Sequence, residues 1–222
     1  MLRVEDMNHL QKIFFSSILL GGAILGIAFL SGRRQEQSSE PLYKQSLNQL
    51  KELSQKKYHQ SLQLLAYAHY AERDSLHDVA ALFHAMSHAD AIHCANCRHA
   101  IEALGGMYSH PTISPTQFVS TTTHLEKTLH NKTLTHDHQM PKYINQALSD
   151  NNRYIARMLT WCDASDIKQI TLLNDILNSH PSQHQYLYKV CPTCGDISWE
   201  TITTRHCPMC MTDSVKFIII RH

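Results

Sequence analysis

The sequence predicts a mainly α-helical protein: a four-helix bundle, then a small β module built around four cysteines, with a transmembrane helix at the N-terminus. Three observations carry this prediction. Long stretches without internal Gly or Pro repeat apolar residues at helical spacing, two Cys-x-x-Cys pairs lie near the C-terminus, and residues 13–30 form an uncharged apolar run. At 222 residues the chain can enclose one sizeable core and a small appendage.

The apolar run at residues 13–30 is predicted to cross a bilayer as a helix, between a flank at residues 1–12 and a polar linker at residues 31–40. A secretory signal is the alternative, but the residues that follow match a small-x-small cleavage site poorly. Lys and Arg residues are slightly more numerous on the C-terminal side of the run than on its N-terminal side. This difference predicts that the soluble part faces the cytoplasm. The sequence therefore predicts a protein anchored in a bacterial inner membrane.

The bundle is predicted over residues 41–180. Ser75 is expected to cap the second helix, which runs to the stop at Gly105. A third helix is expected to begin near Thr116, and Pro141 should kink or divide it, because proline lacks the N–H group that a helix interior uses.

Two Cys-x-x-Cys knuckles, with twelve residues between them, consist of Cys191, Cys194, Cys207 and Cys210. Each knuckle offers two thiolates from one turn, so the two together can surround one tetrahedral ion, either zinc or a single iron. Gly195 permits the backbone turn of the first knuckle. Two disulfides are the alternative, but the three remaining cysteines cannot pair fully, which argues for a reducing compartment. We predict a metal module over residues 186–222.

The second and fourth helices carry matching stripes that are apolar except at the centre. In the second helix Asp90 is followed three residues later by His93, and in the fourth Asp166 is followed by Gln169. A carboxylate in the middle of such a stripe lies in the core and needs a partner, because an unpaired buried charge is costly. Two such helices facing each other would bring their polar pairs together, as in metal sites of helical bundles.

Two other motifs have a plainer interpretation. Cys94 and Cys97 have the C-x-x-C spacing on a helix, but Cys97 lies on the core stripe, which favours ordinary core thiols over a redox pair. His84 and His88 are one turn apart and have the right spacing to share an ion. They lie off the apolar stripe, so we interpret them as part of a solvated face.

Together these features resemble the rubrerythrin family, in which a ferritin-like four-helix bundle with two irons precedes a rubredoxin-like module with one iron on four cysteines. Asp-Ala-Ile-His at residues 90–93 lies where the family's second helix carries Glu-x-x-His. Cys-Pro-Thr-Cys-Gly and Cys-Pro-Met-Cys match the final module at the family's spacing. The resemblance covers residues 45–217 and implies a ferritin-like bundle with a rubredoxin-like or zinc-ribbon module.

The family's bundle ligands are only partly present. Its first-helix carboxylate falls near Lys57, and its fourth-helix histidine is replaced by Gln169. Its third-helix Glu-x-x-Glu falls on Lys132 and Thr135 or, one residue later, on Thr133 and His136.

The candidate bundle ligands that remain are Asp90, His93, Asp166 and His136. Three outcomes stay open: an intact di-iron centre, a mononuclear or altered metal site, or no bundle metal. In the last case Asp90 would form a buried ion pair with Lys57 or Lys132, and His93 would be a satisfied core histidine.

Two functions follow from the resemblance and its gaps. The first is a membrane-anchored rubrerythrin-like redox protein that reduces peroxide, with electrons passing through a four-cysteine iron site to a bundle metal and with a redox partner protein. The second is a non-catalytic descendant with structural zinc, acting as a membrane-tethered scaffold. We expect a homodimer or a subunit of a larger complex. The formal net charge of +1 gives no indication of nucleic-acid binding.

Overall fold

The structure, a computed structural model, describes residues 43–178, 187–199 and 204–221. The predicted membrane helix at residues 13–30, with its flank and linker, lies outside these residues. Within the described ranges no helix is both long and apolar enough to cross a membrane. This finding contradicts the prediction that the protein is anchored in a bacterial inner membrane with its soluble part in the cytoplasm. The longer described helices carry charged residues along their length and bury their apolar faces in the bundle.

Two long helices, α1 (Lys44–Arg73) and α2 (His77–Ala103), pack against each other as a helical hairpin. Ser75, with a left-handed φ of 59°, lies in the turn, and its N–H group donates to the carbonyl of Glu72 at 2.9 Å. The prediction that Ser75 caps α2 is therefore wrong, because Ser75 terminates α1 and the cap position of α2 is Leu76.

The other half of the bundle consists of α3 (Thr121–Leu134), α4 (Met140–Ser149) and α5 (Arg153–Asn178). Helix α3 begins later than the predicted start near Thr116. Ser120 determines that start, because its side chain accepts the N–H group of Thr123.

A single π-helical turn, Thr135–Gln139, joins α3 to α4. In this turn the N–H group of Met140 donates to the carbonyl of Thr135, five residues earlier. Pro141 comes directly after Met140. The predicted interruption of the helix is therefore present as a π-helical turn, which holds one residue more than an α-helical turn.

The C-terminal module contains a three-stranded antiparallel sheet in the order β2-β1-β3, formed by β1 (Tyr188–Val190), β2 (Ile197–Ser198) and β3 (Ile218–Ile220). The inner face of this sheet shares one apolar cluster with α1 and α2, in which Tyr188 and Val190 are buried together with residues such as Phe83. The predicted mainly α fold with a small C-terminal cysteine module is confirmed, and the module packs directly on the bundle.

Candidate metal centre and the buried ion-pair cluster

The four cysteine side chains of the module converge on one point. The Sγ atoms of Cys191 and Cys210 are 3.5 Å apart, and those of Cys194 and Cys207 are 3.6 Å apart. All four sulfurs lie within 4.8 Å of one another, and none of the four cysteines forms a disulfide. A tetrahedral ion with bonds of about 2.3 Å to sulfur needs sulfur–sulfur edges of about 3.8 Å. The arrangement therefore fits zinc or a single iron.

The first knuckle also favours a thiolate. The pKa of Cys191 falls to about 4, because the Cys194 thiol donates to its sulfur and the backbone N–H groups of Cys194 and Thr193 add to the effect. A thiolate is the form of cysteine that binds metal. The turn thus favours a thiolate at Cys191, while the same hydrogen bond raises the pKa of the Cys194 thiol, so a metal would have to displace the proton of Cys194.

The two knuckles share one backbone geometry but differ in strain. In the first, the N–H group of Gly195 donates to the Cys191 carbonyl at 2.9 Å, and φ of Gly195 is 73°. In the second, the N–H group of Met211 donates to the Cys207 carbonyl at 2.9 Å, and φ of Met211 is 64°. A left-handed conformation costs a residue with a Cβ atom about 1–2 kcal/mol, so the second knuckle carries strain that the first avoids.

Replacing Met211 with glycine is expected to raise the stability of the module by about 1 kcal/mol, because glycine adopts positive φ without steric cost. Met211 is 68 % exposed, so its side chain contributes little packing. The metal-loaded proteins can be compared by denaturant unfolding, with Met211→Ala as the control that keeps the Cβ atom. A gain from Met211→Ala equal to that from Met211→Gly would contradict the explanation by strain.

The first knuckle contacts α2 and α5 through its backbone carbonyls. His93 Nε2 donates to the Cys194 carbonyl at 3.0 Å, and Ser165 Oγ donates to the Gly195 carbonyl at 2.8 Å. A Cβ atom on Gly195 would lie 2.5 Å from His93 Nε2. Glycine at this position therefore serves both the turn and the close approach of the module to the bundle.

Two further polar contacts surround this interface. Asn96 Nδ2 donates to the Thr193 carbonyl at 2.9 Å, and Lys168 forms an ion pair with the buried Asp196. The Asp196 carboxylate also lies 3.9 Å from Cys207 Sγ. These contacts attach the metal module to the bundle through groups next to the cysteines.

Beneath the module, four buried charges form what we call the ion-pair cluster: Lys57 on α1, Asp90 on α2, Lys132 on α3 and Asp166 on α5. Lys57 Nζ lies 2.8 Å from Asp90 Oδ1 and 2.6 Å from Asp166 Oδ2. Lys132 Nζ lies 3.1 Å from Asp90 Oδ2 and 3.0 Å from Asp166 Oδ1. Each of these side chains is at most 1 % exposed. The formal charges cancel.

The cluster shifts the pKa values of its own members. Burial alone would lower the pKa of Lys57, but Asp166 and Asp90 outweigh it and hold that pKa well above 10.5. Burial would raise the pKa values of Asp90 and Asp166, but Lys132 and Lys57 hold both below their usual range. Lys57 and the two aspartates are therefore charged at neutral pH.

The predicted bundle ligands come together only in part. Asp90, His93 and Asp166 each place one ligand atom within 4.8 Å of the others, which by distance alone suits a metal. Asp90 and Asp166, however, are already bound by lysines. His93 uses Nε2 for the module carbonyl, and its Nδ1 lies 3.6 Å from Asp90 Oδ1.

The remaining predicted positions lie apart from such a site. His136, the predicted recruit, pairs through Nδ1 with Asp163 Oδ1 at 2.9 Å and is 35 % exposed. Gln169 is buried, and its Nε2 donates to Ser165 Oγ at 3.3 Å, so it supports the contact with the module.

The side chains present do not fit a di-iron centre. Two iron ions in a helical bundle need several carboxylates to offset their charge, whereas the two aspartates are already neutralised by two ammonium groups. A protonated lysine has no lone pair to offer a metal. The cavity beside Asp90 and Lys132 measures about 10 Å³, room for about one water molecule.

The architecture defines a class of protein: a ferritin-like helical bundle followed by a rubredoxin-like four-cysteine module, as in the rubrerythrin family. Among solved structures, nigerythrin in its fully reduced, all-ferrous state matches with a TM-score of 0.68 at 20 % identity, over 78 % of this chain and 86 % of nigerythrin. Nigerythrin in a mixed-valence state matches with a TM-score of 0.66 at the same identity and coverage.

A more distant likeness covers a smaller share of the chain. An open-pore ferritin from the hyperthermophilic archaeon Archaeoglobus fulgidus matches with a TM-score of 0.54 at 12 % identity, over 60 % of this chain and 83 % of the ferritin. No protein-family model and no curated protein matches the chain. The resemblance to the rubrerythrin family is confirmed as a likeness of fold.

Sequence reasoning missed the groups that attach the module, namely Asn96, Ser165 and Lys168. It identified Lys57 and Lys132 as departures from the family and offered either one as the buried partner of Asp90, and the structure pairs both lysines with Asp90 and also with Asp166. A signal for both lysines was present, since Lys57 lies seven residues after Leu50, and Lys132 lies seven after Leu125. That spacing puts both lysines on core faces, where they need anionic partners.

Proposed function

We propose that this protein is a non-catalytic rubrerythrin-fold protein whose four cysteines bind one metal ion, and that this metal has a structural role. The observation that carries the proposal is the ion-pair cluster, which fills the centre of the bundle with two ammonium groups and two carboxylates. A bundle stabilised in this way needs no metal to balance its buried charge. Peroxide reduction at a bundle metal is therefore not part of the proposal.

The contacts of the module support a structural role for its metal. Cys191, Cys194 and Cys207 are buried, and the carbonyls of the first knuckle accept hydrogen bonds from the bundle at His93 and Ser165. A metal on these cysteines would fix the knuckle that contacts both helices. The protein would then act as a metal-stapled scaffold or complex subunit, with homodimer formation still a prediction.

A second candidate function is one-electron transfer by a single iron. One edge of the four-cysteine site approaches the surface, because Cys210 and the neighbouring Met209 are only half-buried. Such an edge would give a redox partner protein access to the metal, and solvent exposure is one of the factors that set the potential of iron–thiolate sites.

Metal analysis of protein expressed without added metal tests these functions. We expect one metal on the four cysteines of each chain, with zinc supporting the structural role and iron with a visible thiolate-to-iron absorption band supporting electron transfer. The control is the double variant Lys57→Met/Asp166→Asn, which removes one candidate bundle ligand, keeps the cluster neutral and should leave the metal content unchanged. A wild-type content above one iron per chain that this variant lowers to one, together with peroxide turnover, would overturn the proposal.

A further inference from the structure

A surface group at the paired ends of α1 and α2 has no part in the function proposed above. It consists of His69 and Glu72 on α1 and His84 and His88 on α2, and we call it the histidine–glutamate cluster. Glu72 lies between two imidazoles: His84 Nε2 is 3.0 Å from Glu72 Oε1, and His69 Nδ1 is 3.4 Å from Glu72 Oε2. The ring centroids of His69 and His84 are 5.9 Å apart at an interplanar angle of 88°.

We propose that the histidine–glutamate cluster is a binding site for a divalent transition-metal ion of the zinc class. Imidazole nitrogen and carboxylate oxygen are the ligands that zinc takes in proteins besides thiolate. Two pairs of ligands would come from two helices, with residues 69 and 72 one turn apart on α1 and residues 84 and 88 one turn apart on α2.

Two of the distances are close to those of a tetrahedral site, although the ligand atoms of the cluster do not all lie within 4.8 Å of one another as they stand. Bonds of about 2.1 Å to nitrogen or oxygen give ligand–ligand edges of about 3.4 Å, near the two nitrogen–oxygen distances at Glu72. Full convergence requires His69 and His88 to turn inward. His69 is 65 % exposed and His88 is also exposed, so neither rotation displaces a packed side chain.

The electrostatics of the cluster also suit a cation. The hydrogen bond with His84 is the largest of the influences that lower the pKa of Glu72, so this carboxylate is ionised at neutral pH. Glu72 contacts only the two histidines among the ion pairs of the described residues, so no lysine or arginine competes with an incoming metal there. This is the opposite of the buried cluster, where ammonium groups surround the carboxylates.

Calorimetric titration with Zn²⁺ tests the site on full-length protein whose four-cysteine site has already been saturated with zinc. We expect one further zinc ion per chain. His84→Ala should weaken its binding at least about tenfold, since loss of a group that merely supports a metal ligand already costs about 10–100-fold. Far-UV circular dichroism checks that this variant is folded.

Two more variants make the test specific. Glu72→Gln changes a 47 % exposed residue and should also weaken the second zinc ion. His99→Ala is the matched control, because His99 faces Glu102 at 3.8 Å with the same i, i+3 spacing, and the other ion-pair partner of Glu102 among the described residues is Arg98 and not a histidine. Absence of a second zinc ion, or an equal effect of His99→Ala and His84→Ala, would overturn this proposal and leave the proposed function untouched.

Discussion

Replacing Lys57 with methionine is expected to lower the free energy of unfolding by about 3–5 kcal/mol, because it leaves two buried carboxylates with a single ammonium group. Lys57 makes the shortest contacts of the ion-pair cluster, at 2.6 and 2.8 Å, and its side chain is fully buried. Methionine matches the length of the lysine stem, so the loss reports on charge more than on packing. Urea unfolding followed by circular dichroism measures the effect.

Two variants control this experiment. Lys56→Met removes the adjacent lysine, which is half-buried and bonded to Gln139, and should cost less than about 1 kcal/mol. Lys57→Met/Asp166→Asn restores neutrality and should recover part of the loss, giving a coupling energy of about 0.5–3 kcal/mol in a double-mutant cycle. A neutral or stabilising effect of Lys57→Met would contradict the charge balance that we assign to the cluster.

The sequence predicted those features of the fold that depend on local pattern. Apolar periodicity located the helices, and the Cys-x-x-Cys spacing located the cysteine site, because neighbouring residues determine both. The end of α1 was predicted less well. Ser75 is a frequent helix cap by residue type, and its side chain does not reveal that its φ is positive in this turn.

The centre of the bundle depends on residues that are distant in the chain. The sequence showed that Lys57 stood in place of a ligand, and it offered Lys57 or Lys132 as the partner that a buried Asp90 needs in a bundle without metal. Pairing across four helices could not be derived, because it requires the rotation of each helix about its axis. The same limit applies to Ser165 and Asn96, whose role depends on where the module contacts α2 and α5.

Taken together, the two clusters separate the stability of the bundle from the metal of the module. The ion-pair cluster is internally neutral, and its contacts come from the four helices alone. The module depends on short strands of two or three residues and on two turns, so it has little stability of its own without a metal. Loss of the metal should therefore unfold the module and leave the helices in place.

Cys207→Ser tests this separation and should have the largest effect on metal binding. We expect the metal content to fall close to zero and the module to lose protection from hydrogen exchange at the turn amides of Gly195 and Met211. Zinc binds to small structural domains with apparent free energies of about 10–16 kcal/mol, and this range is the upper limit of the binding free energy that the substitution can remove. Far-UV circular dichroism should retain the helical signal, because the cluster of Lys57, Asp90, Lys132 and Asp166 is unchanged.

Cys94→Ser is the matched control for this experiment. Cys94 is also buried, but it lies near Ser54 Oγ, at 3.4 Å, and outside the four-cysteine site, so a hydroxyl group there keeps a hydrogen-bond partner and should leave the metal content unchanged. Retention of metal by Cys207→Ser would contradict the four-cysteine site. Loss of the helical signal would show instead that the bundle depends on the metal. In that case the contacts of the first knuckle with His93 and Ser165 would be needed to keep the helices folded.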